Sequence, residues 1–237
     1  MKLTDFKVLT FDCYGTLIDW EQGMITALAP LTEKLNPKLS RDTILQMHAH
    51  YESTLQAQTP TMLYSQLLAT VYKRMAEEWN VTVSWQECVH YGQSVKDWPA
   101  FEDSSQALAY LKAHYKLVIL SNVDNASFAA SNEKLGIPFD AVYVAEDIGS
   151  YKPADANFEY MTKMLAQRGI NKSQVLHVAE SLFHDHVPAN RHGYKSCWIY
   201  RRHDQNGFGA TMDPGEVPPV DFRFNSMAEL ANAHRKS

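Results

Sequence analysis

The sequence predicts a doubly wound α/β fold, with a mainly parallel sheet and an inserted all-helical segment. Three observations predict it. Short apolar runs recur that are nearly continuous rather than alternating, as strands covered on both faces require. Between about residues 100 and 200 these runs alternate with helical patterns, the signature of a sheet wound on both sides. Residues 20–97 break that rhythm, carrying helical patterns and no strand.

Taken in order, FKVLTFD (6–12) packs Val, Leu and Phe into a short run that ends in a polar turn, and reads as a buried strand. TILQMHAHYESTLQ and TMLYSQLLATVYKRMAEEW follow as helices. An all-helical insertion here either caps the mouth of the sheet or covers one of its faces. The cap is the reading adopted, with a core of 1–19 and 98–237 and a cap of 20–97. SSQALAYLKAHY then sets Ala107, Leu108 and Leu111 on one stripe. YKLVILSN (115–122) and AVYVAED (141–147) read as the second and third strands. NFEYMTKMLAQRG is a helix with Phe158, Met161 and Leu165 on one face and Gly169 as its C-terminal stop. QVLHVAE (174–180) and YKSCWIY (194–200) complete five strands. GATMDPGEVPPVDFRF is a Pro/Gly-rich connector, and NSMAELANAHRKS a last surface helix.

Bulk properties narrow the function. A chain of 237 residues suits one large domain, or a core with an insertion. The net charge of −5, with Arg201 and Arg202 the only adjacent arginines, gives no basic face for nucleic acid. MKLTDFKVLT lacks a signal-peptide pattern, and no run approaches the ~20 apolar residues of a membrane span. Cys13, Cys88 and Cys197 are odd in number and scattered, which suits neither a disulfide framework nor a zinc site. A reduced, cytoplasmic protein with no membrane or nucleic-acid partner is expected.

In open α/β sheets ligands bind outside the carboxyl ends of the strands. The first strand ends in Asp12, the second in Ser121 and Asn122, the third leads to Lys152, and the fourth to Glu180, Ser181 and Asp185. Each alone has an ordinary explanation as a turn, a helix cap or a solvated loop residue. All four in this order place a carboxylate, hydroxyl and amide donors, a lysine and further carboxylates on one rim.

Through DCYGTL (12–17), LSN (120–122), SYKP (150–153) and ESLFHD (180–185), the sequence resembles the haloacid dehalogenase (HAD) superfamily. The resemblance runs from about residue 6 to 202. FDCYGTLIDW and HVAESLFHDHVPANRHG look like its type II 2-haloacid dehalogenase branch. It implies a HAD-like Rossmannoid core with a helical cap, a small-molecule substrate and a possible homodimer. Asp12 would then be a nucleophile forming an aspartyl ester, with Thr16 and the CYGT backbone holding carboxylate and substrate. Ser121 and Asn122 would bind the substrate carboxylate or orient Asp12. Lys152 would keep Asp12 ionised, and Asp185 would position the hydrolytic water. Phe158 falls where dehalogenases carry a pocket aromatic, and equally suits a core position.

Tyr14 bears on the leaving group. Phosphatases of the superfamily carry a second Asp two residues after the nucleophile to protonate an alkoxide. A phenol, with an ordinary pKa of ~10, is a far weaker acid. A halide needs no proton, so Tyr14 points to carbon–halogen cleavage with no cofactor. Two features pull the other way. Glu180 and Asp185 match metal-supporting carboxylates, so with Asp12 they could bind Mg²⁺ in a phosphatase. The cap stretch 44–58 also lacks the dehalogenases' arginine; Arg41 and Arg74 lie outside it, leaving His48, His50, Tyr51 or Tyr64 as substitutes. His177, His184 and His186 read as local hydrogen-bonding groups rather than a metal cluster. A non-catalytic binding protein on the same scaffold is the third reading.

Overall fold

The apolar runs condense into a six-stranded sheet whose strand pairings are all parallel. The computed structural model describes residues 1–237. β1 (Val8–Phe11), β2 (Lys116–Ser121), β3 (Ala141–Val144), β4 (Val175–Ala179), β5 (Lys195–Ile199) and β6 (Phe222–Phe224) stand in the order β3-β2-β1-β4-β5-β6. From β1 the chain builds outward through β2 and β3, then returns to lay β4 on β1's other side. That reversal opens a crevice beyond the carboxyl ends of β1 and β4.

Side chains alternate along each strand, so one run feeds two cores. Leu9, Phe11, Leu117, Ile119, Leu176 and Val178 join the larger core, which continues into the inserted helices. Val8, Val118, Leu120 and Val175 face the other way, against Phe158, Met161 and Leu165. Burial on both faces explains why the strands read as apolar runs without strict alternation.

Four helices follow β1 with no strand between them: α1 (Trp20–Thr32), α2 (Arg41–Gln58), α3 (Tyr64–Glu78) and α4 (Trp85–Gly92). Local chemistry sets their starts. The side chains of Asp19, Ser40 and Ser84 accept backbone N–H groups of the first turns of α1, α2 and α4. The remaining helices flank the sheet: α5 (Ser104–Lys112), α6 (Asn125–Leu135), α7 (Ala145–Ile148), α8 (Asp155–Gln167), α9 (Val187–Arg191) and α10 (Met227–Arg235). Ties from the strand-end loops hold the insertion. Asp124, the N-cap of α6, accepts the Ser65 N–H at 2.9 Å, and Tyr151 donates its hydroxyl to the Met62 carbonyl at 2.5 Å.

Two expectations need correction. The connector after residue 209 ends in β6, a sixth strand pairing with β5. At three residues, with a half-exposed Phe222 and Phe224, it is too short to show a period. The 141–147 run also stops being a strand at Val144, where the chain turns directly into α7. Gly169 sits just past the α8 C-cap at φ 72°, in the left-handed region that glycine adopts without strain. No helix is long and apolar enough to cross a membrane.

Candidate active site

Asp12 is the first residue beyond β1, held in register by its N–H bond to the Val178 carbonyl of β4. The chain then turns sharply through Gly15, whose φ of 90° favours glycine and whose missing Cβ leaves room for Trp20. That turn brings Thr16 back over the strand end. Its hydroxyl donates to Asp12 Oδ2 at 2.8 Å and accepts the Glu180 N–H at 2.9 Å, tying the ends of β1 and β4 together.

Lys152 reaches the same carboxylate from the loop after α7. Asn122 anchors that loop: its amide donates to the Lys152 carbonyl at 2.9 Å and its Oδ1 accepts the Lys152 N–H at 2.6 Å. The Lys152 ammonium, 1% exposed, donates to Asp12 Oδ1 at 2.9 Å, Asp185 Oδ1 at 2.7 Å and the Leu120 carbonyl at 2.9 Å. Three protons meet three acceptors, so the ammonium is fully used. Asp185 Oδ1 also meets His177 Nε2 at 2.9 Å, while Thr10 holds the other ring nitrogen at 2.9 Å. His177 Nε2 bears a proton, because an ionised carboxylate only accepts.

Burial sets the electrostatics, and charges then reshape them. Burial raises the pKa of Asp12, Lys152 pulls it back down, and Asp185 pushes it up again. Burial also disfavours the charge on Lys152, yet Asp12 and Asp185 more than offset it and raise its pKa. Asp185 likewise overcomes its burial: Lys152 and His177 hold its carboxyl well below the usual range. Its second oxygen, Oδ2, is buried without a partner.

A cavity of about 30 Å³ lies against this group. From the core side, Asp12, Tyr14, Ser121, Asn122, Lys152 and Asp185 line it. The structure thus gathers the candidates from all four strand ends. Ser121 Oγ is buried there without a partner. The backbone N–H groups of Cys13, Tyr14 and Asn122 have no acceptor within the protein. Tyr14 turns its hydroxyl away to Ser131 Oγ, 2.9 Å distant, and burial pushes the phenol well above its ordinary pKa.

Three expectations are overturned. Phe158 is not in the cavity. The α8 stripe turns it onto the far face of the sheet, edge-on to His177 at 5.2 Å and stacked on His192 at 5.6 Å. Glu180 does not line the Asp12 cavity; it borders a neighbouring one with Glu21, Arg41, Arg201 and Arg202. Burial and the charges of Glu21 and Asp12 push its pKa up to about 8. Asp12, Glu180 and Asp185 therefore do not converge as a metal-ligand set, and no group of three His, Cys, Asp or Glu residues does so. The Asn122 side chain, which also lines the cavity, positions the Lys152 loop with one donated and one accepted hydrogen bond.

Sequence reasoning named Ser181 at the fourth strand end and His184 as a local hydrogen-bonding group without giving either a place in the site, and it missed Trp20, Glu52 and Gln56; with Tyr64 these five complete the wall. Ser181 caps the single π turn Leu182–His186 and meets His184 Nδ1 at 3.1 Å; burial lowers the His184 pKa to about 4. Of the substitutes for a cap arginine, only Tyr64 reaches the cavity. His48 stands behind the wall, fully buried, with Tyr91 Oη 2.7 Å from its Nε2 and Glu52 3.3 Å from its Nδ1. Arg41 and Arg74 border other cavities. A signal was present: His48, Glu52 and Gln56 recur every fourth residue, a polar stripe that α2 buries.

A family model for haloacid dehalogenase-like hydrolases matches residues 9–199. Among curated protein sequences, none matches the chain. The structure is similar to the L-2-haloacid dehalogenase of Xanthobacter autotrophicus, with a TM-score of 0.77 and 20% identity over 97% of this chain and 98% of that one. The same enzyme with chloropropionic acid covalently bound matches at TM-score 0.76 and 19% identity, again over 97% and 98%. The putative HAD-hydrolase YfnB from Bacillus subtilis, bound to magnesium, matches at TM-score 0.75 and 18% identity, over 97% and 99%.

Proposed function

The chain belongs to the haloacid dehalogenase-like hydrolase family, and from that premise we propose that it hydrolyses the carbon–halogen bond of a short 2-haloalkanoic acid. One observation carries the reading. Asp12 is gripped by Lys152 and Thr16 at a small cavity, while Tyr14, two residues on, offers no usable acid because its hydroxyl is engaged with Ser131. That arrangement suits a leaving group that departs as a stable anion.

In the proposed reaction a carboxylate oxygen of Asp12 attacks C2, and the halide leaves with the bonding pair, giving an aspartyl ester. The substrate carboxylate is received by Ser121 Oγ and the free N–H groups of Cys13, Tyr14 and Asn122. Water then adds to the ester carbonyl, oriented by the unpartnered Asp185 Oδ2. Because Asp185 is a weak base, it orients the water more than it takes its proton. The adjacent Lys152 ammonium stabilises the oxyanion. Collapse releases the 2-hydroxy acid and restores Asp12, with one net proton passing to solvent. Residues 20–97 act as the cap that shields the ester.

The likeness to a dehalogenase holding chloropropionic acid covalently supports this reading. For the Mg²⁺ phosphatase alternative, Glu180 borders the neighbouring cavity while Asp12 and Asp185 line their own, so the three carboxylates do not line one site, and no step is assigned to a metal.

The test is halide release from chloro-, bromo- and fluoro-substituted 2-alkanoates, alongside intact-protein mass spectrometry. Asp12→Asn is expected to abolish release, and Asp185→Asn to accumulate an ester on Asp12. No halide from any member of the panel would sink the substrate assignment. EDTA-sensitive turnover of an aryl phosphate would favour the phosphatase.

A further inference from the structure

We propose that Glu52, on the inserted helix α2, is the specificity-determining residue of the cavity. It takes a hydrogen-bond-donating substituent, an ammonium or a hydroxyl, carried by the substrate beyond its reacting carbon. The inference rests on the Asp12 reading for the position of the reacting carbon.

The two walls of the cavity differ in hydrogen-bonding sense. The inner wall offers donors: the unpartnered Ser121 hydroxyl and the free N–H groups of Cys13, Tyr14 and Asn122. The α2 wall offers acceptors. Glu52 Oε1 receives Gln56 Nε2 at 3.0 Å, which leaves the Gln56 carbonyl oxygen unengaged. An ionised carboxylate has room for about four hydrogen bonds, so Glu52 retains acceptor capacity after its Gln56 contact. It is 5% exposed, with one oxygen 3.3 Å from His48 Nδ1.

No cation is spare to balance an anion at that end. The three protons of Lys152 are spent, and Arg41, Arg201 and Arg202 border the neighbouring cavity. A bare apolar tail would leave the remaining acceptor capacity of the Glu52 carboxylate, beyond its Gln56 contact, unfilled and shielded from water, which is costly. A larger cavity of about 510 Å³, bordered by Phe183 and Pro153, shares Gln56 and Lys152 with the first. Space for a longer substrate thus adjoins the acceptor wall.

Isothermal titration with three unreactive probes tests this: propionate, 3-hydroxypropionate and β-alanine. The donor-bearing probes are expected to bind wild type about tenfold or more tighter than propionate, as a hydrogen bond to a charged group supports. In Glu52→Gln that ratio is expected to fall to within about twofold. Preference for β-alanine alone identifies an ammonium; equal preference for both donors identifies a hydrogen bond without charge selection. Equal or tighter binding of propionate, an unchanged ratio in Glu52→Gln, or no binding of any probe overturns the proposal. The wild-type ranking decides even if the variant does not fold. Because titration forms no ester, absence of halide release would sink the Asp12 chemistry while leaving this result readable.

Discussion

Lys152 Nζ stands 2.9 Å from Asp12 Oδ1, and that contact uses one of the three protons the ammonium owns. The others go to Asp185 and to the Leu120 carbonyl. One buried cation therefore serves two carboxylates and the end of β2 together. Its removal affects charge balance, nucleophile position and loop position at once.

Lys152→Met is expected to lose turnover and to destabilise the fold by about 3–5 kcal/mol, because it leaves two buried carboxylates uncompensated. Adding Asp185→Asn should recover part of that loss by removing one of them, a non-additive result for groups in contact. Urea titration of the two variants checks both statements. Simple additivity would contradict the shared-cation arrangement.

Glu180 makes stability depend on pH. Its carboxyl is raised from 4.5 to about 8 in the folded protein, first by burial and then by Glu21 and Asp12. The folded state holds the proton more tightly than the unfolded one. The resulting stability is fully present below pH 4.5 and is lost as the pH rises through about 8. Glu180→Gln removes that titration, so the variant should gain on wild type from about pH 5 to about pH 9. Relief of 2 kcal/mol corresponds to about 4–8 °C in Tm for a chain of this size. Thermal melts at the two pH values measure it; a constant offset would contradict the burial of an unpaired carboxyl.

Tyr14→Phe separates the ring from the hydroxyl. The variant loses only the bond to Ser131, a cost of about 1 kcal/mol. Ester formation on Asp12 should survive, since the hydroxyl faces away from the cavity. Combined with Asp185→Asn, in which the ester is expected to accumulate, a Tyr14→Phe protein whose mass never shifts with substrate would make the hydroxyl a participant after all.

Gly23→Ala probes how the insertion is seated. A Cβ there would collide with the Trp98 side chain, and Trp98 packs edge-on to Tyr14 with ring centroids 5.7 Å apart. The crowding should cost about 1–3 kcal/mol. Because the strain is relieved through Trp98 against Tyr14, KM should rise as stability falls. Destabilisation with unchanged kinetics would show that the packing stops short of the cavity.

Much of this protein follows from its sequence alone. Five of the six strands are legible because burial on both faces demands apolar runs of strand length. Asp12, Ser121, Lys152 and Asp185 are legible because a parallel sheet delivers strand-end residues to one rim, and Thr16 through the resemblance alone. The same local logic reads Gly169 as a helix stop. What it could not decide is the direction of a side chain whose neighbours come from distant parts of the chain. Phe158 satisfies a pocket aromatic and a core stripe equally until the sheet face behind α8 is in place. Glu180 follows β4 as a metal ligand would, yet its carboxyl borders the cavity of Glu21 and Arg202. Glu52 looks like one more polar residue on a polar helix, and becomes part of the site only when α2 folds over Asp12. Strand and helix periods are local, written in residues a few positions apart. The lining of a cavity depends on contacts between segments far apart in the chain, and these exist only once the sheet and its insertion have packed.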